Sequence, residues 1–135
     1  MLKLLLDTNV LSEPEFLKWL KSLEDAEKYM SSITLMEFAY HLLKKGKGEG
    51  RLKAFTELYS ISSAPFDGES AVIAARSASK KWDFGERARD YAIGATAVSL
   101  DAILITRNLK DFDWMPNEKV MDPKTFKEKL TSNKI

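Results

Sequence analysis

Apolar and polar positions along this chain follow two different periods, and the switches between them mark its elements. Leu2-Lys3-Leu4-Leu5-Leu6 is a short, nearly unbroken apolar run that stops on Asp7. Such a run reads as a buried parallel strand, apolar at successive positions because helices cover both faces of its sheet. Helical spacing follows from Pro14 to Lys21, with Phe16, Leu17 and Leu20 on one side and Pro14 suited to a first turn. Tyr29 to Ile33 predicts a second short strand. Thr34 to about Lys45 predicts a helix, where Thr34 and Glu37 have the spacing of a capping box. Gly46-Lys47-Gly48-Glu49-Gly50 is the clearest turn.

Beyond that turn the alternation continues. Helices are expected over Arg51 to Tyr59, Glu69 to Lys81 and Arg87 to Ser99, and from Pro123 onward. Ser60 to Ala64 is a weak strand, Ala102 to Thr106 a strong one, and Lys119 to Met121 a last short one. Strands alternating with helices predict an α/β fold, a three-layer α/β/α sandwich on a mainly parallel sheet. No repeat, low-complexity segment or linker interrupts residues 1–135, so a single domain is expected.

Composition narrows the chemistry. Hydrophobic residues make up 44% and charged residues 30%, the balance of a chain that buries a core. The net charge of +1 supplies no overall field for nucleic acid, so any such contact must rest on a local patch. Zero cysteines exclude disulfides, thiolate metal sites and cysteine nucleophiles, and fit a reducing compartment. One histidine, His41, excludes a multi-histidine metal site within the chain. No apolar stretch approaches a membrane span, and the start lacks the basic region and cleavage site of a signal peptide. A cytoplasmic protein without membrane contact is expected.

The candidate chemistry lies in acids at element boundaries. Asp7 ends the first strand, at the edge of an open α/β sheet where ligands bind. Glu37 lies near the start of an otherwise apolar helix, Asp90 opens a helix rich in small residues, and Asn108 and Asp111 follow a strand. Each has an ordinary alternative as a helix cap or first-turn charge. Together they would line one edge of the sheet, a coincidence that capping does not require. Carboxylates gathered without His or Cys select hard divalent cations, Mg²⁺ or Mn²⁺. Such an ion polarises a phosphodiester and lowers the pKa of a bound water. Close carboxylates repel one another when no cation is present, so neutralising Asp7 is expected to leave stability equal or slightly higher.

Four blocks then carry a family resemblance: Leu5-Leu6-Asp7-Thr8-Asn9-Val10-Leu11-Ser12-Glu13, Ile33-Thr34-Leu35-Met36-Glu37-Phe38, Asp90-Tyr91-Ala92-Ile93-Gly94-Ala95-Thr96-Ala97 and Thr106-Arg107-Asn108-Leu109-Lys110-Asp111-Phe112. In order and spacing the chain resembles the PIN-domain ribonucleases, and within them the VapC-type toxins of prokaryotic toxin–antitoxin pairs. The resemblance implies a Mg²⁺- or Mn²⁺-dependent endoribonuclease that acts on RNA, is restrained by a cognate antitoxin, and forms a homodimer. It places Asp7, Glu37 and Asp90 on the family's metal-binding acids and Asn108 on the fourth acidic position, with Asp111 a turn later. It matches Thr8, Asn9 and Thr106 to polar positions that hold the acids in place.

Arg87, Arg89, Arg107 and Lys110 flank these acids in sequence and are candidates to grip RNA phosphates. Trp82, Phe84, Tyr91 and Trp114 are either base-stacking residues or part of a core or dimer seam. Phe38, Tyr40, Leu42, Leu43, Phe55 and Leu58 either pack internally or leave apolar surface for an antitoxin peptide. His41 reads as an ordinary helix residue. Two other classes share parts of the pattern. An aspartyl-nucleophile phosphotransferase would use Asp7, although Asn9 stands where such enzymes carry a second acid. A non-catalytic RNA- or protein-binding domain on the same scaffold would not need Asp7, Glu37 and Asp90 intact.

Overall fold

The computed structural model describes residues 1–135 and places β1 (Leu2–Leu6) at the centre of a five-stranded sheet. β2 (Ala26–Ser31) and β3 (Ile61–Ala64) lie on one side of it, β4 (Ile103–Ile105) and β5 (Val120–Met121) on the other. The order is β3-β2-β1-β4-β5 and every pairing is parallel. The chain thus builds outward from β1 in one direction, then crosses back to add β4 on the opposite side. In open α/β sheets that reversal leaves a crevice at the carboxyl ends of the two central strands. Leu6 is in register with Ile105, so β1 and β4 end together and release Asp7 and Thr106 side by side.

Six helices cover the sheet: α1 (Pro14–Lys21), α2 (Ser32–Lys44), α3 (Glu49–Tyr59), α4 (Gly68–Ala78), α5 (Phe84–Leu100) and α6 (Pro123–Thr131). Leu4, Leu5 and Leu6 are each 0% exposed, as strand residues covered on both faces must be. Leu4 and Leu6 pack with Leu17 and Leu20 of α1 and Phe126 of α6. Leu5 and Leu104 face the other way, onto Ile93 and Ala97 of α5 with Phe112 and Met115. Outside α5, Ala74 and Ala78 of α4 close on Tyr91 and Ala95. This is the three-layer α/β/α arrangement that the alternating pattern predicts. Burying each of these leucines contributes about 1.5–3 kcal/mol of transfer free energy.

Several boundaries differ from expectation: α3 takes in Glu49 and Gly50 from the expected turn, α4 ends at Ala78 rather than Lys81, and three further differences have a local reason. β2 begins at Ala26 rather than Tyr29, because Ala26, Lys28 and Met30 alternate onto the buried face. Lys28 disguises that alternation: its stem lies in the core, and burial followed by the charge of Lys21 lowers its pKa. β2 ends at Ser31 because Ser31 caps α2, accepting the Thr34 N–H at 3.0 Å, and Ile33 becomes helical. α5 begins at Phe84 and breaks at Arg87 (φ −123°, ψ 19°), the residue at which helical spacing becomes regular in the sequence.

Candidate functional site

Asp7 leaves β1 in an extended conformation and is 1% exposed. Its Oδ1 accepts the Thr8 N–H at 2.7 Å, which caps the 3₁₀ turn Thr8–Val10. Its Oδ2 accepts the Thr106 hydroxyl at 2.8 Å and, at a long 3.5 Å, the Asn9 amide. Asn9 also donates to Thr106 Oγ1 (3.4 Å) and accepts the Arg107 N–H (3.2 Å), while the Asn108 N–H donates to Thr106 Oγ1 (3.1 Å). Two loops from the central strands are thereby stitched around one carboxylate. The capping reading of Asp7 is realised, and it does not compete with a second role.

Glu37 takes no part in capping α2, since Ser31 does that. Its Oε1 instead accepts the Thr8 hydroxyl at 2.7 Å, a link across 29 residues. Asp90 comes from α5, one turn beyond the break at Arg87. The three acids meet on one cation, the guanidinium of Arg89. Arg89 Nε donates to Glu37 Oε2 at 2.6 Å, and its two terminal nitrogens donate to Asp90 Oδ1 (2.9 Å), Asp7 Oδ1 (3.0 Å), Glu37 Oε1 (2.9 Å) and Thr8 Oγ1 (3.1 Å). Five donors in a rigid planar fork suit this convergence of oxygens, which a lysine would not satisfy.

The electrostatics follow from burial and from that cation. Burial pulls the Glu37 carboxyl upward, but hydrogen bonds from Arg89 and Thr8 and the charge of Arg89 outweigh it, and its pKa falls below the ordinary value. Asp90 moves up instead: burial dominates, Arg89 opposes it, and the charges of Asp111 and Asp7 add to the rise. Burial alone would lower Arg89, yet the hydrogen bond to Glu37 and the charges of Asp7 and Glu37 hold it above the ordinary arginine range.

The fourth position is divided between two residues. The Asn108 side chain is exposed and makes no capping hydrogen bond to the 3₁₀ turn Leu109–Phe112. Asp111, within that turn, accepts from Arg87 at 2.7 Å, and Arg87 also pairs with Asp83 at 3.3 Å. Arg107 is exposed and lies 3.6 Å from Glu13, and Lys110 is exposed. Of the four basic candidates, Arg87 and Arg89 turn inward to acids, while Arg107 and Lys110 face solvent. Tyr91 is buried, donates its hydroxyl to Asp83 at 2.7 Å and packs on Trp114 at 5.3 Å, so it belongs to the core. Trp82 and Phe84 are exposed. His41 is exposed on α2.

Sequence reasoning did not find the Arg89 fork or the pairing of Arg87 with Asp111. The only available signal was arginine alternating with acid in Glu86-Arg87-Ala88-Arg89-Asp90. Alternating charge of that kind also marks solvated helix surfaces.

The PIN domain model matches residues 4–115, a span that contains every acid of this site. The chain belongs to the PIN domain family. It is 30% identical over 132 residues to the tRNA(fMet)-specific endonuclease VapC of Salmonella typhimurium, a match that takes in 90% of this chain and 98% of that protein. Its fold is similar to that of VapBC-1 from nontypeable Haemophilus influenzae (TM-score 0.71, 21% identity, 91% of this chain and 99% of the other). It is likewise similar to a toxin–antitoxin complex from Klebsiella pneumoniae (TM-score 0.70, 25% identity, 89% and 97%).

Proposed function

We propose that this PIN-domain protein is a divalent-metal-dependent endoribonuclease and the toxin of a toxin–antitoxin pair. The observation that carries this reading is the convergence of Asp7, Glu37 and Asp90, from three separate elements, on one cation at the carboxyl edge of the sheet. The donor atoms are of the kind Mg²⁺ or Mn²⁺ takes, all of them oxygens and three of the groups carboxylates, although spread around the guanidinium they do not stand together as a group that holds an ion. Asp7, Glu37 and Asp90 would hold the ion, with Asp111 or Asn108 at its margin. Bound there, the ion supplies polarisation of a phosphodiester and a bound water of lowered pKa.

The remaining work falls to the chain itself. Thr8 and Thr106 fix the two oxygens of Asp7, and the Thr8 hydroxyl orients Glu37. Arg107, exposed and tied to Asn9 through its backbone N–H, stands beside the site where a phosphate backbone would pass, and Lys110 is exposed on the 3₁₀ turn that follows. The aspartyl-nucleophile alternative is disfavoured because Asn9, where such enzymes carry a second acid, instead donates to Asp7 and Thr106. A non-catalytic role leaves the convergence of three acids without a purpose.

The same reading includes an antitoxin partner, a homodimer and a cytoplasmic location. Exposed Met36, Tyr40, Leu43 and Leu58 on α2 and α3 support an apolar partner surface, and the Klebsiella relative is a toxin–antitoxin complex. Exposed Val72, Phe84 and Val98 on α4 and α5 offer a second such area. No helix is long and apolar enough to cross a membrane. RNA is the proposed substrate, and initiator tRNA is the first to test because the Salmonella relative is named for it. Purified protein should cut labelled RNA with Mg²⁺ or Mn²⁺ and lose that activity in excess chelator. Undiminished cleavage in chelator would refute the metal-dependent mechanism.

A further inference from the structure

We infer that Arg89 is a built-in rival of the divalent cation: guanidinium and metal take the same three carboxylates, so the ion enters only as Arg89 swings out. The inference rests on the metal-dependent reading above and adds a gate to it. Arg89 sits among Asp7, Glu37 and Asp90 and donates to all three within 3.0 Å. No carboxylate in the cluster is left outside its reach.

Geometry makes simultaneous occupancy unfavourable. Mg²⁺ draws its oxygens to about 2.0–2.1 Å. The same oxygens stand 2.6–3.0 Å from the guanidinium nitrogens, spread around a planar fork. Closing them on a small ion takes them off the fork, and a monovalent cation at hydrogen-bond distance would repel the divalent one. The exit is open, because the Arg89 side chain is 38% exposed and leaves from the first regular turn of α5 beyond the break at Arg87. Exchange therefore needs a rotamer change of one long side chain and no movement of the sheet. At low cation concentration the gate holds the acids together by charge, and at high concentration the divalent ion displaces it. The apparent metal affinity is reduced by the fraction of molecules with Arg89 out, so removing the side chain returns that factor.

The test is Mn²⁺ binding to the full chain by calorimetry, comparing wild type with Arg89→Ala and Arg89→Gln, and Asp7→Asn as the site control. Both Arg89 variants should bind Mn²⁺ at least about tenfold more tightly than wild type. In chelator they should melt at lower temperature than wild type, and Mn²⁺ should raise their melting temperature by more. A measurement on the wild type guards against a variant that does not fold. The Arg89 ¹⁵Nε resonance should report a hydrogen-bonded guanidinium without metal and a solvated one once Mg²⁺ saturates. Equal Mn²⁺ affinity in wild type and variants, or an Arg89 resonance unmoved by Mg²⁺, overturns the gate and leaves the metal reading standing. Weaker Mn²⁺ or RNA binding in the variants would overturn it too, making Arg89 a supporting or phosphate-gripping residue. Absence of Mn²⁺ binding in wild type and both variants removes the metal reading itself, and the gate with it.

Discussion

The Thr106 hydroxyl donates to Asp7 Oδ2 at 2.8 Å across 99 residues of chain, and both side chains are buried. Replacing Thr106 by Val keeps the shape and removes the donor. One oxygen of a buried carboxylate then loses its best partner, at a cost of about 1–3 kcal/mol. Urea unfolding of Thr106→Val should show that loss, and cleavage should fall because Asp7 is no longer held on both sides. Unchanged stability would mean that water or Asn9 substitutes fully for the hydroxyl.

Asp7→Asn tests a sign. Repulsion among carboxylates predicts equal or higher stability, but the Arg89 fork reverses this, because each acid already has a cation. Asn at position 7 removes the charge facing Arg89 and should destabilise the domain. The penalty for breaking a buried pair is discounted here because Arg89 is partly exposed. About 1–2 kcal/mol is expected in the same unfolding assay, with cleavage lost. An increase in stability would show that the acids repel one another despite Arg89.

Gly94 is required by Trp114. A Cβ at position 94 would overlap the indole, lying 2.8 Å from Cη2 and 3.1 Å from the Met115 sulfur. Alanine is ordinarily favoured over glycine inside a helix by about 0.5–1 kcal/mol. The clash should override that gain, so Gly94→Ala should be net destabilising, by about 1–2 kcal/mol. Pairing it with Trp114→Leu should recover part of the loss.

Glu37 and Asp90 should give opposite pH slopes. The Glu37 pKa is lowered on folding, so its stabilisation is present above the ordinary value of 4.5 and is lost as pH falls through the folded value. The Asp90 pKa is raised, so its contribution is complete below 3.8 and is lost as pH rises through the folded value. Stability is compared between about pH 3 and about pH 7. Glu37→Gln should fall further behind wild type as pH rises, and Asp90→Asn should gain on it. Parallel slopes would contradict the opposing environments.

At the fourth position we propose Asp111 rather than Asn108 as the residue nearer the ion. The charge of Asp111 reaches Asp90, whereas the Asn108 side chain lies exposed without a partner in the site. On the proposed reading, Asp111→Asn should weaken Mn²⁺ binding more than Asn108→Ala does. Calorimetric titration at equal folded fraction decides the order. A larger loss for Asn108→Ala would return the role to the position matched by the family pattern.

Much of the architecture is legible in the amino-acid sequence, because it is written in short-range pattern. An unbroken Leu4-Leu5-Leu6 run needs cover on both faces, which already implies a central parallel strand with helices on each side. Asp7 at its end marks the carboxyl edge of the sheet. Short-range pattern is poorer at boundaries: Lys28 hides a strand residue behind a charge, and Ser31 rather than Thr34 closes the cap. It also misassigns Glu37, whose capping-box spacing is real but unused, since Thr8 and Arg89 compete for the same carboxylate.

By itself, then, the sequence determined the alternation of elements, the absence of thiol and multi-histidine chemistry, and the family to which the four acid-bearing blocks point. The first two are properties of composition or of residues within a few positions of one another, and the third is a resemblance carried by the order and spacing of the blocks along the chain. Tertiary structure alone decided which face each arginine serves. Arg87 and Arg89 look like solvated phosphate ligands in the sequence, yet they become the counter-ions of Asp111 and of the Asp7–Glu37–Asp90 cluster. The reason is physical. A long cationic side chain goes where the summed potential of distant acids is most negative, and that potential exists only once β1, α2 and α5 have been packed together.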